Sequence, residues 1–247
     1  MDRSLYISSV GLANIERAQT ARANNLANVS TTGFRADLAR FGTEEVTSAD
    51  TYRVRSYGVN QGAGVDLSSG VQLETGRNLD VAVNGDGFFA VVDETGTEGY
   101  TRSGSLQIDA TGRLLNGVGR QLMGLAGPIA LPPFENVLIG ADGTISVRPQ
   151  GQGPDALAVV DQLKLVNPEP DQVYKGSNGL LYNREEIPFI PDANVTVNSG
   201  FLESSNVNAI HELTEILSLA RQFELEVRMM QTAESNDEAA AQLLRVN

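Results

Sequence analysis

Apolar residues recur at spacings of three and four from Asn208 to about Arg245, at Ile210, Leu213, Leu217, Ala220, Phe223, Val227, Met230, Ala233, Ala240 and Leu243. This period predicts one face of a single helix. Ser205, Asn206 and Asn208 supply N-cap candidates ahead of it, and Glu212 and Glu215 stand in the early turns, where the helix dipole favours acid. At ~1.5 Å per residue such a helix runs to roughly 55 Å, beyond the usual length in a compact domain. A shorter counterpart opens the chain, with Leu5, Leu12, Ile15, Ala18, Leu26 and Val29 on one face. It runs into Asn28-Val29-Ser30-Thr31-Thr32-Gly33, where β-branched and hydroxyl residues are poor helix formers and Gly33 can turn left-handed.

The middle follows a different rhythm. All 9 prolines fall between Pro128 and Pro191, and no glycine follows Gly200, so turns and strands belong before that point. Leu79, Val81 and Val83 alternate with Asp80, Ala82 and Asn84, and Phe88 to Val92 is a short apolar run. Ser105–Ile108 and Arg113–Leu115 flank the turn residues Asp109 to Gly112, while Val137–Ile139 and Thr144–Val147 flank Ala141-Asp142-Gly143; both read as hairpins. Leu157–Val166 and Asn194–Val197 add further strands. The expected division is an N-terminal helix and turn over 1–42, an extended or irregular connection over 43–76 with weak strand character at Tyr52–Val54, a small antiparallel all-β domain over 77–203, and a C-terminal helix over 204–247.

Composition narrows the chemistry. A net charge of −13 repels phosphate backbones and anionic headgroups, so neither nucleic-acid binding nor membrane-surface binding is expected. The absence of cysteine removes disulfides and thiolate chemistry. No run of about 18 apolar residues occurs, which argues against membrane insertion. Arg3 is balanced by Asp2 and the first apolar residues are broken by Ser8, Ser9, Gly11 and Asn14, so no cleaved signal peptide is expected.

His211 is the only histidine, so a Ser-His-Asp triad or a multi-histidine metal site cannot be built. Asp93–Gly96, Asp109–Gly112 and Asp142–Gly143 lack the register of a calcium loop and sit where hairpins need turns. Gly62-Ala63-Gly64 and Gly85-Asp86-Gly87 lack the third glycine of a dinucleotide fingerprint. No catalytic residue, metal or cofactor is expected, and the chain does not read as an enzyme. What stands out is the pair of terminal stripes. Two helices alone bury a stripe poorly, so partner helices from other subunits would complete the burial. The expected interface residues are Leu12, Ile15, Leu26, Val29, Leu213, Leu217, Phe223, Val227 and Met230.

The run Ala23-Asn24-Asn25-Leu26-Ala27-Asn28-Val29-Ser30-Thr31-Thr32-Gly33-Phe34-Arg35 resembles the N-terminal signature shared by bacterial flagellar rod and hook proteins, with Asn24, Asn25, Asn28, Ser30, Gly33 and Phe34 as its marker positions. Thr75 to Phe89, Tyr100-Thr101-Arg102-Ser103-Gly104 and Ser204-Ser205-Asn206-Val207-Asn208 resemble three further shared blocks. Met1-Asp2-Arg3 and the segments from Arg221 to Leu244 are most similar to proximal-rod members, with the distal-rod members as the alternative. The resemblance implies a structural subunit of the basal-body rod, which crosses the periplasm. It implies export through the flagellum-specific type III apparatus without a cleaved signal, self-association within the rod, contacts with other rod proteins and a part in motility. It also implies that the long terminal helices pair as a coiled-coil-like stalk beside the β domain. A secreted carbohydrate-binding β protein is the alternative of another class, but it would want aromatic platforms, and the chain has no Trp and 6% aromatics.

Overall fold

A computed structural model describes residues 3–45, 56–149, 151 and 156–245. The weak strand signal at Tyr52–Val54 lies outside them, as do the side chains of Leu5, Ala240 and Leu243. The chain divides into two compact units. A terminal unit comprises Met1–Ala27, Asp37–Gly64 and Asn208–Asn247, and a β unit comprises Asn28–Ala36 and Val65–Val207.

The terminal unit holds helix α1 (Arg3–Ala27), strand β1 (Asp37–Glu45), all but the last residue of strand β2 (Ser56–Val65), its neighbour in a two-stranded sheet, and the final helix, α2 (Ala209–Arg245). Of the three cap candidates, Asn208 starts α2: its Oδ1 accepts the N–H groups of Ile210 at 3.1 Å and His211 at 3.2 Å. His211 is thereby an exposed residue of the first helical turn.

The coiled-coil-like stalk of two long helices is overturned. α1 has 25 residues against 37 in α2. Between the two helices Arg22 pairs with Glu212 at 3.1 Å, and Gly11 faces the Glu226 carboxylate. Among the described side chains of the two helices, Ser8, Ala18, Asn25 and Glu212 are buried, whereas Ile210, Leu213 and Leu217 stay exposed. A coiled coil requires the reverse, an apolar seam with charges outside.

The β unit carries β3 (Gln72–Glu74), β4 (Val81–Asn84), β5 (Phe88–Val92), β6 (Glu98–Thr101), β7 (Leu106–Ile108), β8 (Leu114–Asn116), β9 (Phe134–Ile139), β10 (Thr144–Pro149), β11 (Ala158–Gln162), β12 (Leu165–Val166), β13 (Val173–Lys175), β14 (Leu181–Asn183), β15 (Thr196–Ser199) and β16 (Phe201–Glu203). They form a five-stranded sheet in the order β12-β5-β6-β14-β13, a three-stranded sheet β11-β10-β9, and the pairs β15-β4, β16-β3 and β7-β8. These strands pair antiparallel, as expected where short turns join neighbours. The buried apolar positions build two core clusters, one around Val81, Val83, Phe89, Leu106, Leu122 and Ile145 and the other of Phe88, Ala90, Tyr100, Val166 and Leu181.

Both predicted hairpins are present. At the first, Asp109 Oδ1 accepts the N–H groups of Thr111 at 2.8 Å and Arg113 at 2.9 Å. At the second, Asp142 accepts the Thr144 N–H at 3.0 Å and its hydroxyl at 2.6 Å. Hydrogen bonds from Thr111 and Thr144 hold these two carboxyls below the usual carboxylate range. The aspartates are thus occupied as turn acceptors.

Candidate assembly elements

The signature run divides between the two units, and each half is fixed by a different kind of contact. In the terminal unit Asn25 is wholly buried. Its Nδ2 donates to the Asp37 carbonyl at 3.0 Å, and its Oδ1 accepts the Asp37 N–H at 2.7 Å. The amide therefore pairs with a strand backbone as another strand would, and neither a carboxylate nor an apolar side chain can do both. Nδ2 also lies 3.4 Å from Glu212 Oε1, and Asn24 donates to Asp37 Oδ2 at 2.7 Å.

The β unit takes over at Asn28. The Thr31 N–H and hydroxyl donate to the carbonyl and side chain of Asn28 at 3.1 and 3.2 Å, closing the turn that ends the helix. Ser30 is exposed. Gly33 has φ +70°, and a Cβ there would lie 2.4 Å from the Arg102 carbonyl carbon, so this position requires glycine twice over. Phe34 is half-buried beneath the Lys175 ammonium, 3.9 Å above its ring centre.

Just beyond, Arg35 and Arg102 converge on Glu203, with all three side chains almost devoid of solvent. Arg35 donates to Oε1 at 2.6 Å and Arg102 to Oε2 at 2.8 Å. Arg102 also donates to the Gly85 carbonyl at 2.6 Å, and both guanidinium groups lie over the Phe88 ring. Burial lowers the Arg102 pKa while the Glu203 charge opposes that shift, so the cation depends on its counter-ion. Phe88, Arg102 and Arg35 come from three of the four sequence blocks singled out above, and Glu203 immediately precedes the fourth. Arg35 and Arg102 lie within the shared motifs, whereas Glu203 lies outside them. A charged residue set among apolar and glycine positions was the available signal, although 168 and 101 residues separate its partners from it.

The expected interface residues fall into two groups. Leu12, Ile15, Leu26, Val29, Val227 and Met230 are half-buried. Leu213, Leu217 and Phe223 are exposed, and with them Ile210, Leu225 and Met229. The cleft in the β unit lined by Asp93, Glu98, Tyr100, Tyr174 and Tyr182, about 490 Å³, offers no free acid pair: Tyr182 donates to Asp93 at 2.8 Å, and Glu98 lies 2.7 Å from the Lys164 ammonium.

Residues 198–243 match the family described as flagellar basal body rod FlgEFG protein C-terminal, and residues 82–147 match the flagellar hook protein FlgE/F/G D1 domain. The flagellar basal-body rod protein FlgF of Escherichia coli K12 is 36% identical over 253 aligned positions that cover 100% of both chains. The chain belongs to the flagellar basal-body rod protein family, FlgF type. FlgF of Salmonella typhimurium is 34% identical, again over 100% of both chains. FlgG of Buchnera aphidicola subsp. Schizaphis graminum, a rod protein of the sister type, is 32% identical over 97% of this chain and 99% of its own. Membership in this FlgF-type family makes the chain a structural rod subunit of the flagellum.

Proposed function

We propose that this chain is a proximal-rod subunit that joins neighbouring rod proteins, its own copies included, through the apolar side chains of its C-terminal helix. The observation that carries the reading is the exposure of Ile210, Leu213, Leu217, Phe223, Leu225 and Met229 on one helix, with Ile210 at 76% and Leu217 at 60%. Fully burying one such side chain is worth about 1.5–3 kcal/mol. Repeated along stacked subunits, heterologous contacts of this kind generate a helical tube instead of a closed ring when their rotation does not close. Rotation then passes through many small packed contacts, and no side chain is assigned a chemical step. The half-buried Leu12, Ile15, Leu26, Val29, Val227 and Met230 belong to the same proposed contact. Delivery through the flagellar export apparatus, without a cleaved signal, and a place in the part of the rod that crosses the periplasm complete the reading.

The test is Phe223→Asp in a motile strain. The variant is expected to keep the β unit folded, as read by circular dichroism, and to fail to enter purified basal bodies. Normal motility and normal incorporation would remove α2 from the interface.

A further inference from the structure

Glu203 holds three separate stretches of the β unit at once. Beyond its bonds to Arg35 and Arg102, its Oε1 accepts the Gly70 N–H at 2.6 Å and its carbonyl accepts the Gly33 N–H at 2.9 Å. Three residues on, Asn206 does the same with an amide: Oδ1 accepts the Ala36 N–H at 2.8 Å, and Nδ2 donates to the carbonyls of Asp66 at 3.0 Å and Ser68 at 3.1 Å. The segment 203–206 closes the unit in sequence, and the stretches it grips, 33–36 and 66–70, open it.

The chemistry of the grip is asymmetric. Arg35 and Arg102 carry two positive charges against the one buried negative charge of Glu203, with the exposed Asp86 acting on Arg102 more weakly; both guanidinium groups are nearly solvent-free, and their Nε–H groups find no hydrogen-bond partner among the described residues. A guanidinium cannot shed its proton to escape burial, so without Glu203 the site would hold two buried cations with no buried counter-ion. The apolar core around Leu106, Leu122 and Ile145 needs no such charge balance.

We propose that Glu203 is a latch: the signature loop Gly33–Arg35 takes its docked form only once the segment carrying Glu203 is in place, so the two ends of the β unit order together. A chain whose C-terminal lead has not yet arrived keeps its signature loop undocked while its apolar core is already formed. Reading this as a check on completeness before incorporation rests on the rod-subunit reading above; the latch itself does not.

The experiment is hydrogen exchange read by mass spectrometry on the isolated full-length chain with Glu203→Gln, which keeps the shape and removes the charge. Amides in 33–36 and 66–70 are expected to exchange about tenfold faster or more, while those around Leu122 and Ile145 change less than about twofold. Native protection at 33–36, or an equal acceleration across the core, overturns the latch. If Glu203→Gln alone does not fold, Arg102→Gln with Glu203→Gln removes one buried cation with the anion. The core is then expected to recover with 33–36 still fast, and native-like protection at 33–36 overturns the proposal. Because no rod is needed for this measurement, failure of the latch and failure of the assembly reading are separate results.

Discussion

Gly33 lies with its α-carbon against the backbone of Arg102, so closely that a Cβ added there would stand 2.4 Å from the Arg102 carbonyl carbon. The contact brings the first signature block onto the third. Its φ of +70° is a conformation that L side chains rarely adopt.

Gly33→Ala therefore combines left-handed strain with a backbone clash. The expected cost is about 2 kcal/mol or more, since strained φ values alone are worth of order 1–3 kcal/mol. Urea denaturation of the purified chain measures it, and a midpoint within error of wild type would contradict the geometry.

Asn25 ties the end of α1 to the first residue of β1 through both halves of its amide. Asn25→Ala leaves the Asp37 N–H and carbonyl without those partners in a partly buried site, a loss of about 1 kcal/mol. Faster exchange of the Asp37 amide is the direct readout, with the β unit unaffected.

Asn208 caps α2 with one oxygen shared by two N–H groups. Asn208→Ala is expected to cost about 1 kcal/mol of helix stability, and Asn208→Asp or Ser to restore most of it. Helical circular dichroism on heating separates the three.

Asp109 and Asp142 have folded-state pKa values below the usual 3.8, each because a threonine hydroxyl donates to the ionised carboxylate. A depressed carboxyl contributes stability that is present above the unfolded value and lost as pH falls through the folded one. The urea midpoint is thus expected to hold from pH 7 to about 5 and to decline below the usual carboxylate value. In Asp109→Asn with Asp142→Asn the decline should be shallower; an unchanged acid limb would assign it to other carboxyls.

The parts of the fold that were legible in the sequence are those made by neighbours. The hairpins at Asp109–Gly112 and Ala141–Gly143 need only an aspartate acceptor and a glycine with positive φ within a few residues. The cap at Asn208 and the end of α1 at Ala27 are equally local. The pairing of β1 with β2 was not legible, because Asp37–Glu45 and Ser56–Val65 are rich in polar residues and glycine and lack a clean alternation. The packing between the helices was misread for a related reason. The apolar stripe of α2 is genuine in sequence, but periodicity says which residues share a face and not what that face meets. In the structure the meeting surface is held by Arg22, Asn25 and Glu212.

By itself, then, the sequence determined the β character of the middle, its turns, the two terminal helices and, through its shared blocks, the family to which the chain belongs. Only the tertiary structure decided that Arg35 and Arg102 share the carboxylate of Glu203 and that Ile210, Leu213 and Leu217 remain in solvent. Turns and helices follow from bonds between residues a few positions apart. A buried ion cluster exists only after the chain has closed loops of more than a hundred residues, and nothing in the spacing of its members records that closure.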